Sequence, residues 1–317
     1  MKLMGIAAIA AAVIVGLAIT VTAGLHFRAT ASRSVVTAPT AVSATLPATP
    51  QSYLGVYVPG TPGSYAGVAA FTKTTGVKPD VLTYYSGWGE KFRASFAEAA
   101  AKQGAVPLVQ INPQGISLAA IASTQYDTYL GTYAAAVRSY RLPVIIGFGH
   151  EMNGSWESWG YGHTSPADFV AAWRHIVTLF RTFGADNVTW LWTVNVIEKQ
   201  AGIPSPVPWW PGSAYVTWVG IDGYYATSSM TFAGLFGPTI VAVHTLTTDP
   251  VIVAETGATS GASQPGRITD LFAGVRTFGL LGFAWFDAVG KQDWRLTGPA
   301  TAAALRQGAA AYHRVGS

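Results

Sequence analysis

From residue 53 onward, short apolar segments of β-strand character alternate with longer segments of helical periodicity. Continuous runs such as Val144-Ile145-Ile146 are typical of strands that are covered on both faces, as in a parallel sheet. The predicted strands span residues 53–58, 80–85, 106–111, 143–149, 188–194, 218–224, 250–254 and 280–286. Eight strands in strict alternation with helices favour a closed (β/α)8 barrel, the TIM barrel, over an open doubly wound sheet.

Helical patterns fill most of the intervals between these strands. The clearest begins at Ser165, whose hydroxyl can cap a helix, with Pro166 at the first helical position and Asp168 in the first turn. Residues 200–216 are rich in proline and tryptophan and predict a long loop with at most a short helix. Further helices, in addition to the one that begins at Ser165, are predicted near residues 64–76, 90–103, 118–140, 231–247, 264–278 and 299–313.

The first residues predict export. Lys2 is followed by an apolar run from Leu3 to Leu25, which indicates a signal peptide or a retained signal anchor over residues 1–28. Small residues at 21–23 and 29–31 offer candidate cleavage sites. We therefore expect a secreted or extracellular protein that touches a membrane only if this apolar helix is left uncleaved.

The rest of the chain divides into a linker and one domain. Residues 29–51 are rich in Ala, Thr and Pro and contain no acidic residue, so they cannot bury enough apolar surface to fold and predict a disordered linker. Residues 52–317 are long enough for a single (β/α)8 domain, which usually needs about 250 residues. No internal repeat or second domain is visible, and we expect a monomer.

Composition narrows the choice of ligand. Aromatic residues make up 12% of the chain, including 11 Trp, and charged residues only 11%, which suits a neutral polar ligand such as a sugar. No dense Lys/Arg run exists, so the chain lacks the electrostatic footprint of a nucleic-acid binder. The chain contains no cysteine, which excludes disulfides, thiol nucleophiles and Cys-ligated zinc.

Two glutamates follow predicted strands directly. Strand four leads into His150-Glu151, and strand seven leads into Glu255. A single Glu at a strand end is often a helix cap or an ion-pair partner. The active site of a TIM barrel lies at the carboxyl ends of its strands, so a pair on strands four and seven predicts two carboxyl groups facing each other in the barrel mouth.

Breaking a glycosidic bond uses such a pair. One carboxylic acid protonates the leaving oxygen while the other carboxylate attacks or supports an oxocarbenium-like centre. Burial and a neighbouring negative charge keep the acid protonated. Other enzyme classes fit less well. A zinc protease would need a second His at Gly154, and a dinucleotide loop would need a third glycine after Gly147 and Gly149. We predict no metal and no cofactor.

Several segments resemble glycoside hydrolase family 26, best known for endo-β-mannanases. Residues 150–156, His-Glu-Met-Asn-Gly-Ser-Trp, resemble the family's acid/base motif, and Trp159-Gly160 continues the likeness. Residues 192–195 resemble the end of the family's strand five, and residues 218–225 resemble its strand-six segment. Glu255-Thr256-Gly257 is similar to the family's nucleophile motif of Glu, an aromatic residue and Gly. The resemblance extends from about residue 53 to 313.

The resemblance implies a retaining endo-β-glycoside hydrolase with Glu151 as acid/base and Glu255 as nucleophile. His150 would contact the sugar and orient Glu151, and Trp156 would form a wall of the cleft. Tyr224 would hydrogen-bond Glu255, with Asp222 nearby.

Further predicted contacts lie at other strand ends. The resemblance makes Trp285 the stacking floor under the sugar, since a flat aromatic face packs on the C–H face of a pyranose. Trp88, Tyr85 and Asn195 stand at the ends of predicted strands two and five and are predicted substrate contacts. Asp287 either binds sugar or fixes a loop. Trp173, Trp190 and Trp218 are predicted core residues.

The predicted partner is a β-linked oligo- or polysaccharide, with β-1,4-mannan favoured. Gly147 stands where the family's mannanases carry Arg, which removes a charged donor and leaves room near the cleaved sugar, and Thr256 replaces the usual aromatic residue. A mixed-linkage β-glucan, a β-xylan and a non-catalytic sugar-binding role therefore remain alternatives. Aromatic residues at several strand ends predict an open, endo-acting cleft; they are Trp88, Trp156, Trp159 and Trp285.

Overall fold

The structure, a computed structural model, describes residues 46–312. The predicted export segment and most of the predicted linker lie outside these residues. All eight predicted strands are present, each parallel to the next, and β8 pairs with β1 to close the barrel. The strands are β1 (Tyr53–Tyr57), β2 (Val81–Gly87), β3 (Val106–Asn112), β4 (Val144–Phe148), β5 (Val188–Asn195), β6 (Trp218–Tyr225), β7 (Val251–Ala258) and β8 (Gly282–Phe286). The predicted (β/α)8 barrel is confirmed.

The helices surround the barrel. They are α1 (Ala66–Thr75), α2 (Ala94–Lys102), α3 (Leu118–Ala122), α4 (Asp127–Tyr140), α5 (Pro166–Thr182), α6 (Phe232–His244), α7 (Gln264–Thr277) and α8 (Gly298–Ala309). The predicted helix 118–140 is wrong as one element, because Thr124 adopts a left-handed backbone (φ 73°) that separates α3 from α4. Within residues 46–312, no helix is long and apolar enough to cross a membrane.

Two local predictions are confirmed. The Ser165 hydroxyl accepts a hydrogen bond from the Asp168 backbone N–H at 3.1 Å, and Pro166 begins α5, which satisfies one of the free N–H groups at this helix terminus. Residues 199–215 contain only three short 3-10 turns, namely Lys199–Ala201, Val207–Trp209 and Ser213–Tyr215. No α-helix therefore covers the connection between β5 and β6.

A ring of apolar side chains fills the lower barrel. Alternation along each strand sends every second side chain inward, and the inner ones form a buried cluster separate from the larger core beneath the helices. Trp218 belongs to this inner cluster, whereas Trp173 and Trp190 lie in the outer core, so all three are buried as predicted. The inner cluster consists of Tyr53, Val81, Leu108, Ile145, Leu191, Trp218, Ile252, Ala254 and Leu281.

The next layer of the barrel interior, toward the carboxyl ends of the strands, consists of small and polar residues. Gln110 crosses this layer and donates a hydrogen bond from Nε2 to Thr193 Oγ1 at 3.0 Å. Gly147 lies beside it, and a β-carbon at that position would fall 2.0 Å from Gln110 Oε1 and 3.1 Å from the Leu191 carbonyl oxygen. The Gln110 side chain thus occupies the space beside Gly147, and the expected free room near the cleaved sugar is absent there.

Candidate active site

A cleft of about 370 Å³ lies at the carboxyl ends of the strands. It is lined by side chains from strands two, three and five to eight and by the loops that follow β4 and β8. Seven of the predicted site residues line it, namely Tyr85, His150, Glu151, Trp156, Asn195, Tyr224 and Glu255. The structure therefore brings both predicted catalytic glutamates into one cleft.

Glu151 follows β4 in a sharply turned backbone. Gly149 and Glu151 both have positive φ, 55° and 56°, a conformation that costs energy for a residue with a side chain and is often found at active sites. The Glu151 backbone N–H donates to the Thr193 carbonyl oxygen at 3.0 Å, which ties this turn to β5. The turn places the Glu151 carboxyl group at the cleft wall with only 9% of the residue exposed.

Both carboxyl oxygens of Glu151 have hydrogen-bond donors. Trp156 Nε1 donates to Oε2 at 2.7 Å, and Asn195 Nδ2 donates to Oε1 at 2.5 Å. Burial raises the pKa of Glu151, and these two donors, together with the Lys291 charge, act in the opposite direction. The carboxyl group can thus hold a proton yet also be ionised, as an acid that later serves as a base requires.

Glu255 reaches the cleft through a β-bulge in β7. Ile221 pairs with Val253, but the next residue, Asp222, pairs with Glu255. Ala254 is therefore the extra residue, and it faces the inner cluster. Without the bulge, alternation would send Glu255 outward toward the helices. The bulge instead directs Glu255 into the barrel mouth, a use of bulges that is common beside active sites.

Two tyrosine hydroxyls donate to Glu255, Tyr85 to Oε2 and Tyr224 to Oε1. Burial raises the pKa of Glu255 to about 8. The two O–H donors act against that rise, because hydrogen bonds to a carboxylate stabilise its charged form. Glu255, like Glu151, therefore has a hydrogen-bond donor for each of its two carboxyl oxygens.

We expect Tyr224→Phe to lower kcat/KM by about 10–100-fold, because a hydrogen bond to a charged group is worth about 1.5–3 kcal/mol. Loss of the donor raises the pKa of Glu255, so the acidic limb of the pH–rate profile should move to higher pH. Tyr225→Phe is the matched control, since Tyr225 is adjacent in sequence but lies in the outer core. Equal losses in the two variants would contradict a role for the Tyr224 hydroxyl.

Asp222 lies beneath the pair and does not line the cleft. One carboxyl oxygen from each of Glu151, Asp222 and Glu255 lies within 4.8 Å of those of the other two. Asp222 is 1% exposed, and neither of its carboxyl oxygens has a hydrogen-bond partner in the described part of the chain. Burial and the nearby Glu151 hold the pKa of Asp222 well above its usual value. Asp222 is thus placed to influence both glutamates rather than to contact a sugar directly.

The spacing of these three acids would admit a divalent cation. Both oxygens of Glu151 and both of Glu255, however, already accept hydrogen bonds from Trp156, Asn195 and two tyrosines. These donors take up half of the acceptor sites of the two carboxylates and orient both groups. The residues therefore fit a site of proton transfer better than a metal site.

His150 is neutral and fixed in orientation. Its Nδ1 lies 3.0 Å from Asn112 Oδ1, and burial lowers the pKa of the ring to about 4. With the amide oxygen as acceptor, the proton is on Nδ1, which leaves Nε2 as an acceptor. His150 lines the cleft, so it can accept a hydrogen bond from a sugar hydroxyl, as the resemblance implies.

Three aromatic predictions differ from the structure. Trp285 is fully buried, and its Nε1 donates to the Trp294 carbonyl oxygen at 3.0 Å, so it cannot be the stacking floor. Trp88 packs against Tyr126, Tyr129 and Phe148 instead of lining the cleft. Trp159 is 1% exposed and donates from Nε1 to the His150 carbonyl oxygen at 2.8 Å.

The cleft also contains residues that the sequence did not predict. Phe286 lines it because Ala284, two residues earlier, faces Gly55 inside the barrel. Strict alternation counted from Ala284 would have selected Phe286 over Trp285. Trp294, Asn112 and Lys291 also line the cleft. Asp287 accepts a hydrogen bond from the Leu296 backbone N–H at 2.7 Å and so fixes a loop.

Comparisons with known proteins agree with this geometry. The family model for glycosyl hydrolase family 26 matches residues 125–268. Over 257 residues, 76% of this chain, the sequence is 28% identical to Endoglucanase H of Acetivibrio thermocellus. The chain spans only 28% of the length of that relative.

Solved structures share the fold at low identity. A modular endo-β-1,4-mannanase from Cellulomonas fimi has a TM-score of 0.61 and 17% identity, covering 84% of this chain and 72% of its own. A β-mannanase of family 26 from Bacteroides ovatus has a TM-score of 0.61 and 15% identity, covering 84% and 90%.

The barrel, with two glutamates close together at the ends of β4 and β7, has the arrangement of carboxyl groups that glycoside hydrolysis uses. The family model, which matches residues 125–268, and the relatives make this sequence similar to glycosyl hydrolase family 26.

Proposed function

We propose that the protein is a retaining endo-hydrolase of a β-linked polysaccharide. The observation that carries this proposal is the spacing of the two glutamates, whose nearer carboxyl oxygens lie within 4.8 Å of each other. Retaining enzymes hold their carboxyl groups about 5–5.5 Å apart, whereas inverting enzymes leave about 6.5–9.5 Å for a water molecule. Carboxyl oxygens this close together support the retaining arrangement over the inverting one.

In the first step, Glu255 attacks the anomeric carbon while Glu151 gives its proton to the leaving glycosidic oxygen. The bond to the leaving sugar breaks, and an ester to Glu255 forms. In the second step, ionised Glu151 takes a proton from water, whose oxygen attacks the same carbon and releases Glu255 as carboxylate. Trp156 and Asn195 stabilise the ionised Glu151, and Tyr85 and Tyr224 stabilise the released Glu255.

An open cleft supports endo action. No residue from 196–217, the loop between β5 and β6, lines the cleft. Trp156 on its rim is 40% exposed. The expected row of four tryptophans is reduced to Trp156, and Phe286 and Trp294 supply the other flat faces against which a pyranose can pack. A polymeric substrate also suits the export that residues 1–28 predict.

The preferred substrate of this proposal is β-1,4-mannan, which follows from the sequence resemblance. A β-glucan is the second candidate, and two observations favour it. The relative matched by sequence is named an endoglucanase, and Gln110 fills the interior beside Gly147, where the family's mannanases carry Arg. Discrimination between the two sugars depends on how the 2-hydroxyl is bound.

We expect reducing ends to be released from mannan and glucomannan, with oligosaccharides as the first products. The assay is reducing-end release from mannan, glucomannan, lichenan and xylan, with product chromatography and proton NMR of the first anomer. Activity on lichenan alone would replace mannan by β-glucan. Monosaccharide as the sole early product would exclude endo action, and an inverted first anomer would exclude retention. Tight binding without turnover of any polymer would indicate a sugar-binding protein instead.

A further inference from the structure

Two loops meet across the mouth of the barrel. Trp156 lies on the loop after β4, and Lys291 lies on the loop after β8. In a closed barrel of eight strands, β4 and β8 are on opposite sides. The Lys291 Nζ nevertheless lies 4.9 Å from the centroid of the Trp156 ring, within the range of a cation–π contact. This contact joins the two walls of the cleft.

The loop after β8 is built to present Lys291. Val289 and Asp293 form an antiparallel bridge, and the Gly290 backbone N–H donates to the Gln292 carbonyl oxygen at 2.8 Å. Lys291 is thus at the tip of a tight turn. The Asp293 backbone carbonyl accepts from the Ser260 backbone N–H at 2.8 Å, which anchors the turn to the segment that follows β7.

Trp156, the aromatic partner in this contact, is also bound to Glu151. The six-membered ring of Trp156 lies so close to Gly154 that a β-carbon there would fall 2.3 Å from two ring carbons. The indole is therefore held between the Gly154 backbone and the Lys291 side chain. In that orientation its Nε1 donates to Glu151 Oε2 at 2.7 Å. Movement of the ring would break this hydrogen bond.

We propose that Lys291 is a positioning residue for Glu151: it holds the Trp156 indole against the carboxyl group, and its positive charge favours the ionised form that the second step needs. The inference rests on the proposed function in that it assigns Glu151 the acid/base role. Lys291 reaches Glu151 through the Trp156 ring. It is exposed, so its replacement leaves the barrel core unchanged.

The charged groups around Glu151 act in opposite directions. Lys291 lowers the pKa of Glu151, and Glu157, on the same loop as Trp156, raises it. From below, Asp222 and Glu255 lie within 4.8 Å and disfavour a further negative charge when they are ionised. His150, on the neighbouring turn, is neutral above about pH 4. Lys291 is thus the one cation among the side chains that line the described cleft.

The test is a titration of the Glu151 side-chain carboxyl carbon by NMR. The chain has six glutamates, so a protein labelled at the glutamate carboxyl carbon gives few signals, and Glu151→Gln identifies the one that belongs to Glu151. Lys291→Met keeps an unbranched side chain one atom shorter and removes its charge. Lys291→Arg keeps the charge and can keep the ring contact. Glu157→Gln removes the opposing charge. Lys73→Met, an exposed lysine on α1, controls for net charge.

We expect Lys291→Met to raise the pKa of Glu151 by about 0.5 and Glu157→Gln to lower it by about as much, at low ionic strength. Lys291→Arg and Lys73→Met should stay within about 0.2 of the wild type. In the active enzyme, the alkaline limb of kcat/KM should move to higher pH in Lys291→Met, because Glu151 must be protonated for the first step.

An unchanged Glu151 titration in Lys291→Met would overturn the inference, as would equal shifts in Lys291→Met and Lys291→Arg. The titration does not depend on turnover. The proposed hydrolase function and the positioning role of Lys291 can therefore be refuted independently of each other. A wild-type protein that cleaves no polysaccharide but shows the expected titrations would refute the proposed function alone. An active wild type whose Glu151 titration ignores Lys291 would refute only the positioning role.

Discussion

Glu255→Ala should lose at least about 10⁴-fold in kcat on polysaccharide, because no other group can form the covalent intermediate. Glu151→Ala should lose about 10²–10⁴-fold, the usual contribution of general acid–base catalysis. The two variants should also respond differently to azide. In Glu151→Ala, azide can replace the activated water and should speed turnover of an aryl glycoside whose leaving group needs no proton. In Glu255→Ala, azide should occupy the vacated space and give a glycosyl azide of inverted configuration.

The control for both variants is Glu98→Ala, an exposed glutamate on α2, which should retain full activity. Thermal unfolding of all three variants checks that the barrel is intact. Near wild-type activity of either cleft variant on polymer would show that the assignment of the two glutamates is wrong. Rescue of both variants with the same anomeric product would show that their roles are not distinct.

The barrel itself could be predicted because its signals are local. Buried strands such as β4 appear as continuous apolar runs, and the helix at Ser165 carries its own cap. Residues at strand ends, such as Glu151 and Asn195, followed from the rule that barrel sites form at the carboxyl ends of strands. Their convergence in one cleft needed no knowledge of side-chain packing.

The predictions were wrong where a strand residue had to be assigned to the inward or the outward face of the barrel. Trp285 and Phe286 are adjacent, and only the contact of Ala284 with Gly55 across the β1–β8 pair fixes which of them faces the cleft. Glu255 shows the opposite case. Strict alternation from Ile252 would have directed it outward, and only the bulge at Ala254 turns it inward. Neither the pairing nor the bulge is visible in the sequence of one strand.

Contacts between residues that are distant in sequence also could not be predicted. The hydrogen bond between Asn112 and His150 joins β3 to β4, and the contact between Lys291 and Trp156 joins residues more than 130 positions apart. Asn112 and Lys291 are polar residues of ordinary type, so no motif distinguishes them from solvent-exposed residues. Their significance comes only from the closure of the barrel.

We expect the buried carboxyl groups of the site to lower the free energy of unfolding. The variant Glu255→Gln measures the part that is due to Glu255. Burial raises the pKa of Glu255 to about 8 in the folded protein, whereas an unfolded chain has a value near 4.3. A group with a raised folded pKa contributes stability at low pH, and that contribution is lost as pH rises through the folded value. Between about pH 4.5 and pH 8, the folded state should therefore lose stability through this one carboxyl group.

Glutamine removes the titration while it keeps an acceptor for one of the two tyrosine hydroxyls. We expect the free energy of unfolding at pH 8 to be larger in Glu255→Gln by roughly 1–3 kcal/mol, because the hydrogen bonds from Tyr85 and Tyr224 offset part of the burial cost. For a domain of this size, that gain corresponds to a rise in Tm of about 3–9 °C. At pH 4 the difference should vanish, since Glu255 is protonated in both states.

The measurement is thermal or urea unfolding of wild type and Glu255→Gln from pH 4 to pH 9, compared as a difference at each pH. The difference isolates Glu255, because His150, whose lowered pKa destabilises the folded state below about pH 6.5, contributes equally to both proteins. Glu98→Gln, on the exposed face of α2, should show no pH-dependent gain. If Glu255→Gln were no more stable than wild type at pH 8, the tyrosine donors would fully compensate for burial, and the pKa of Glu255 in the folded protein would lie near its unfolded value. A gain that grows toward acid pH would instead mean that Glu255 is stabilised as a carboxylate, with a folded pKa below its unfolded value.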